Sequence, residues 1–477
     1  MSVQSDVLWR DSAAALGARL AAGEVSARAV TEAHLDRISA ADPAHCAFIT
    51  VAAEKALAQA EALDAAFAKT GRPVGPLHGV PVAVKDLTDT AGVRTTYGSE
   101  LYADHVPAAN DVAVERIEAA GGIVIGKTNT PEFGFGAICK NRLAGPTRNP
   151  FDQRLTSGGS SGGAAVAAAT GMVPLAHGTD FGGSVRIPAG FCGVASIRPT
   201  PGLIPAPKRP LGWDTLATHG VVARNTADCA LLLDAMAGMD PEDPTSFLAP
   251  LRDGDGSGRD GGLGSRLGAT VDFGTAVVSR SVRERFAAAV TRLEEVAGPV
   301  LHRHPDCGDA MATFRTLRAA QISHAYGPLL DRHGDRLTDT VRWNIEAGSG
   351  ITAQAYLEAQ AARTALYRRF AALFRDIDVL VAPACGVMPW PNEDGEVTAI
   401  DGNPTETILD YLGVTAIVTL IGFPVLTLPA GSADGLPFGI QLIARPGEEQ
   451  RLIALGRWLE RAAGFVHRWP PEMASPD

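Results

Sequence analysis

The strongest constraint on this chain is the stretch from Gly158 to Pro188, GGSSGGAAVAAATGMVPLAHGTDFGGSVRIP. It holds two glycine-flanked serine sites, Gly158-Gly159-Ser160-Ser161-Gly162-Gly163 and Gly182-Gly183-Ser184. Glycine on either side of a serine opens backbone conformations closed to other residues and lets a ligand approach closely. Upstream, Gly79-Val80-Pro81-Val82-Ala83-Val84 reads as an apolar strand that ends on Lys85-Asp86. A lysine at the end of such a strand can be desolvated, which lowers its pKa and leaves a neutral amine able to act as a base. A serine nucleophile needs such a base, and lysine is one alternative to histidine. Each feature alone has a plainer reading. Gly182-Gly183-Ser184 is also a tight turn with a polar tip, Ser160 a cap for a helix starting near Gly162, and Lys85 a solvated strand-end lysine.

Composition narrows the rest. At 477 residues, 46% hydrophobic and 20% charged, the chain has ample core for a soluble globular protein. A net charge of −11 argues against a nucleic-acid-binding surface. The six cysteines (46, 139, 192, 229, 307 and 385) form no Cys-x-x-Cys pair, so they read as reduced thiols in a cytoplasmic setting. The histidines show no HExxH spacing, and no metal is expected. The N-terminus lacks a signal-peptide pattern, and no apolar run is long enough to span a bilayer.

Strand-like runs recur between helical segments at Gly79–Val84, Gly122–Ile125, Ala195–Ile197, Val379–Val381, Val425–Leu428 and Gly439–Ile443. Ser26 to Lys69 reads as helices outside the sheet, and Asp111–Ala120 as a helix capped by Asn110 or Asp111. Ser281–Ala297 reads as an amphipathic helix with Val282, Phe286, Val290 and Leu293 inward. The fold class is α/β: a single large layered domain with a central mixed β-sheet covered by helices. Residues 1–75 form an N-terminal helical region, 76–250 the core with the catalytic candidates, 251–266 a glycine-rich surface loop, and 267–477 the rest of the same domain.

At these residues the chain resembles the amidase signature family. The resemblance rests on GGSSGG, on GTDFGGSVRIPA, on FCGVASIRPT and on the lysine motif Gly79–Asp86. Further matches are Gly126-Lys127-Thr128-Asn129-Thr130-Pro131-Glu132-Phe133, Gly145–Pro150 and Leu436–Ile443, so it covers about residues 10 to 460 and implies a strand at Leu267–Val271 after the glycine-rich loop. It implies that Ser184 is the nucleophile, that Ser160 relays a proton and follows a cis peptide, and that Lys85 is the general base and acid. Ser161 then acts as a supporting donor, and the amides of Phe181, Gly182, Gly183 and Ser184 form an oxyanion hole. Thr179, Asp180 and Arg186 support the site, Asp180 and Arg186 as buried partners. Lys127 and Asn129 read as structural and His177 as packing. The family commonly has Thr or Ile at Phe181, Gly-Arg at Gly202-Leu203 and Asn at Thr419, and these departures warn against assigning a familiar substrate.

Variable loops then supply the pocket, with Phe133, Phe135, Ile138, Leu143, Phe181, Met388 and Trp390 pointing to an apolar acyl or aryl group. The implied activity is hydrolysis of a carboxamide C–N bond through an acyl-enzyme, without a cofactor, in a monomer or homodimer. Carbamate or ester hydrolysis uses the same machinery. A glutaminase-type component of an amidotransferase, active only in a complex, is a second class. A nucleotide-binding module is a third, disfavoured because the loop lacks G-x-x-x-x-G-K-[ST].

Overall fold

Short apolar runs bounded by glycine, proline and small polar residues become strands, and longer runs become the helices that cover them. The computed structural model describes residues 5–249 and 264–473. In chain order the strands are β1 Phe48–Val51, β2 Pro81–Lys85, β3 Ile123–Thr128, β4 Leu175–Asp180, β5 Ala195–Arg198, β6 Thr218–Ala223 and β7 Leu267–Ala269. They continue as β8 Leu301–His302, β9 Val379–Pro383, β10 Ala399–Ile400, β11 Asn403–Pro404, β12 Val425–Ala433 and β13 Leu436–Ile443. One mixed sheet of 11 strands runs β1-β3-β2-β4-β6-β5-β12-β13-β9-β7-β8, and β10 with β11 forms a small ribbon. β2 lies parallel to both β3 and β4, while β4, β6, β5, β12, β13 and β9 pair antiparallel in turn.

Every run read as a strand overlaps a strand of this sheet, but β1, β4, β6 and the two-residue β8 were not anticipated. β1 divides the segment read only as helices into Ala27–His45 and Ala53–Thr70. The first of these starts on Ser26, whose Oγ accepts from the Ala29 N–H, and stops where Cys46 turns left-handed at φ 54°. Asp111 caps Val112–Ala119, and the helix Arg280–Ala297 buries Val282, Phe286, Val290 and Leu293. The glycine-rich connection expected at 251–266 lies outside the described residues except for 264–266. No helix among the described residues is long and apolar enough to cross a membrane.

The element that positions the site is the helix Gly162–Ala169, GGAAVAAA, in which every residue is buried. Its small side chains let it lie close against β2, β4 and β6. A Cβ at Gly163 would fall 2.5 Å from Ala47 O and Asn129 N, so only glycine fits there. That contact fixes Ser160 and Ser161, immediately before the helix, over the ends of β2 and β4.

Candidate active site

β2 is buried along its whole length, so the lysine that ends it is carried into the core. Lys85 Nζ meets three hydroxyls: Ser160 Oγ at 2.7 Å, Ser161 Oγ at 2.9 Å and Thr179 Oγ1 at 3.0 Å. Burial disfavours the ammonium and lowers its pKa to about 7, against smaller opposing charge effects that include Asp180. Three acceptors match the three N–H groups of the charged amine. Once neutral, the amine has a lone pair that can take the Ser160 proton. Ser161 Oγ donates to the Thr179 carbonyl at 3.2 Å, and its N–H donates to the Ser184 carbonyl at 3.1 Å, which ties the two serine turns together. The Gly159–Ser160 peptide is cis. Ser160 does not cap the helix: Ser161 occupies that position and makes no side-chain cap bond.

Ser184 sits in the turn between β4 and the helix Arg186–Cys192. Gly183 has φ +122°, and a Cβ there would come within 2.7 Å of Thr415 Oγ1. Asp180 braces this turn from below. Its carboxylate pairs with Arg186 at 2.9 Å and Arg198 at 3.1 Å, with all three side chains fully buried. Burial alone would raise the carboxyl pKa, but the two guanidiniums and the hydrogen bonds from Arg186 and Val185 outweigh it and hold the group well below the usual carboxylate range. Arg186 spends its other donors on Thr415 O, Gln441 Oε1 and Thr419 Oγ1, the last at a position where the family often has asparagine. The oxyanion expectation needs one correction. The Gly183 N–H donates to Asp180 Oδ1 at 3.0 Å and so holds the turn, whereas the amides of Phe181, Gly182 and Ser184 donate to no protein acceptor among the described residues.

Ser160 and Ser184 open on one cavity of about 560 Å³. No hydrogen bond joins their hydroxyls among the described residues; the cavity and the Ser161–Ser184 backbone contact are what they share. Phe133, Phe135 and Phe181 line this space as expected from the loops. Ile138, Leu143, Met388 and Trp390 do not line it, for local reasons. Asn141 binds Asn129 and Thr130 and accepts from the Leu143 N–H, which anchors that segment to β3 rather than to the cavity. Trp390 donates to Gly395 O and packs edge-on against Phe191 and Tyr411, so it backs the wall that Tyr411 forms. His177 bonds His219 at 2.9 Å, and Lys127 donates to the Thr88 carbonyl and to Thr90 Oγ1.

Sequence reading missed Arg318, Ile322 and Tyr326 of the helix Ala310–His333, together with Asn344 and Glu396, which all face the cavity. A signal existed. Phe314, Leu317, Arg318, Gln321 and Ile322 follow helical spacing, so a charged residue stands on the buried stripe.

The family model described as Amidase matches residues 29–453. The A-subunit of a glutamyl-tRNA(Gln) amidotransferase from Acidothermus cellulolyticus is 36% identical, over 95% of this chain and 95% of that protein. Among solved structures, a bacterial aryl acylamidase of the amidase signature enzymes superposes with a TM-score of 0.88 at 28% identity, covering 95% of this chain and 96% of that one. A protein from a vestigial complex bearing on the origins of an s-triazine catabolic enzyme gives 0.87 at 31% identity, covering 96% of this chain and 100% of that one.

Proposed function

Because the chain belongs to the amidase signature family, we propose that it is an amidase that hydrolyses a carboxamide C–N bond through an acyl-enzyme on Ser184, acting on an aryl or apolar substrate. Neutral Lys85 takes the Ser160 proton while Ser160 takes that of Ser184, whose Oγ adds to the carbonyl carbon. The backbone amides of Phe181, Gly182 and Ser184 receive the developing oxyanion. Collapse expels the amine, which leaves with the proton returned through Ser160, and water then hydrolyses the ester. The observation that carries this reading is Lys85, a buried amine with a near-neutral pKa placed 2.7 Å from the Ser160 hydroxyl beside a cavity that also holds Ser184.

The test is a panel of aliphatic amides, anilides, esters and carbamates with the isolated chain. Amide turnover without a partner supports the proposal. A preference for esters or carbamates would reassign the bond but keep the machinery. The resemblance to the amidotransferase A-subunit supports a second reading, a glutamine-hydrolysing component of a complex. An isolated chain idle on the whole panel, but active on glutamine once a partner is supplied, would establish it.

Amide turnover is expected to rise with pH through about 7 and level off above it, because the working base is the unprotonated Lys85. Lys85→Ala should remove this limb and cost about 10²- to 10⁴-fold. Amides should suffer more than matched esters, since an amine must be protonated to leave. Equal losses on both would show that Lys85 is not the general acid.

Phe181 packs edge-on against Phe314, with ring centroids 6.4 Å apart, and narrows the cavity. Along a homologous acyl series, kcat/KM is expected to rise about fourfold per buried methylene, about 0.8 kcal/mol, until the space is full. Phe181→Ala should move the optimum to bulkier groups, since any oxyanion donor at 181 is backbone. A flat series in both proteins, or a clear preference for glutamine, would refute the apolar pocket.

A further inference from the structure

Among the described residues, the cavity holds one buried cation that has no carboxylate within ion-pair distance, Arg318. Lys208 pairs with Asp89 at 3.5 Å and Arg209 with Asp243 at 2.9 Å, both also on or near the lining. Arg318 is 8% exposed, and among the described residues no carboxylate lies within ion-pair distance of it. Its Nη1 donates to Asn344 Oδ1, and its other N–H groups donate to no protein acceptor among these residues. Glu396 faces the same space and attracts the guanidinium from beyond ion-pair distance, while its carboxyl accepts a hydrogen bond from the Ala137 N–H at 3.1 Å. The Arg318 guanidinium lies 5.5 Å from the Phe135 ring centroid and 5.7 Å from that of Phe181. A purely structural arginine spends its donors on protein, as Arg186 does on four acceptor groups. Donors of a buried guanidinium that face a cavity are costly to leave unmade and are recognition groups for whatever fills it.

Resting on the amidase reading, we propose that Arg318 determines specificity by donating hydrogen bonds to a second acceptor oxygen of the substrate, a carbonyl or carboxylate distinct from the scissile carbonyl. The aromatic wall of Phe135 and Phe181 holds the apolar part of such a substrate beside the guanidinium, which lies over the two rings. The substrate class is therefore an amide with a mainly apolar body and one oxygen acceptor.

Two matched series test this. In the acyl series, pentananilide is compared with 4-oxopentananilide and succinanilic acid. In the ring series, the 4-ethyl, 4-acetyl and 4-carboxy anilides of one acid are compared. The wild type is expected to favour an acceptor-bearing member in at least one series. In Arg318→Met that preference should fall about 10- to 100-fold, chiefly through KM, and Arg318→Lys should restore part of it. The ketone and carboxylate members distinguish a neutral from an anionic acceptor. Circular dichroism and melting of both variants establish that they fold. If Arg318→Met does not fold, Arg318→Lys and the wild-type preference decide. The proposal fails if the wild type turns over the anilides with no preference in either series, or if folded Arg318→Met keeps the wild-type ratio. Absence of turnover of every anilide would instead count against the amidase reading. Arg318 is then judged by whether succinate and 4-acetylbenzoate raise the melting temperature of the wild type but not of Arg318→Met, and no difference overturns the proposal.

Discussion

Ser184→Ala is expected to lower kcat on any amide substrate by roughly 10⁴- to 10⁶-fold, because the proton relay and the nucleophile act as one unit. Stability should barely change. Ser184 is only partly buried, and its hydroxyl makes no hydrogen bond among the described residues, so its loss opens no sizeable void and strands no partner. Single-turnover kinetics and a thermal melt measure both quantities. A phosphonyl fluoride should give one adduct on the wild type, on the peptide containing Ser184, and none on the variant. Full activity of the variant, or an adduct elsewhere, would remove Ser184 from the nucleophile's role.

The largest effect on stability is expected at Asp180. Asp180→Asn keeps the shape but removes the charge that compensates Arg186 and Arg198, both fully buried. Removing one partner of a buried ion pair costs about 3–5 kcal/mol, because the other charge stays behind. The urea midpoint should fall accordingly. Activity should fall as well, since the same carboxylate accepts from the Gly183 and Val185 N–H groups and sets the nucleophile's turn. The sign with pH follows from the depressed folded-state pKa. The stabilisation is complete above the unfolded aspartate value, near pH 4, and is lost as pH falls through the folded value. Wild type should therefore lose more stability than Asp180→Asn on acidification below about pH 4. Matching urea midpoints at neutral pH would show that the two guanidiniums have another counter-charge.

What was legible in the sequence divides along a physical line. The turns and strand end that carry Lys85, Ser160 and Ser184 were readable because glycine neighbours and an apolar strand leave local marks. The amphipathic helix Arg280–Ala297 was readable because one face meets water. β4 was not. Its sequence, LAHGTD, is almost wholly buried and mixes polar with apolar residues, so it shows no alternation, and its His177 bonds His219, far along the chain. β1 was hidden by its length of four residues between two long helices. The cavity wall was the hardest part. Trp390 carries the composition of a pocket residue but supports the wall from behind, while Arg318 looks like an ordinary helix cation and faces inward.

Lys85, Ser160 and Ser184 all lie between residues 85 and 184, gathered by the small buried helix and the strand ends it holds. The opposite side of the cavity is furnished by the helix Ala310–His333 and by Asn344. The proposed reacting groups thus come from one stretch of the polypeptide, while the wall around them is shared between that stretch, through Phe133, Phe135 and Phe181, and a distant helix that meets it only in space. Arg318, Ile322 and Tyr326 stand more than a hundred residues beyond the glycine-bounded turns, on a helix with its own place in the fold. If the proposed roles hold, edits on that one distant helix reshape one side of the substrate's surroundings and leave the sequence around the reacting groups as it was.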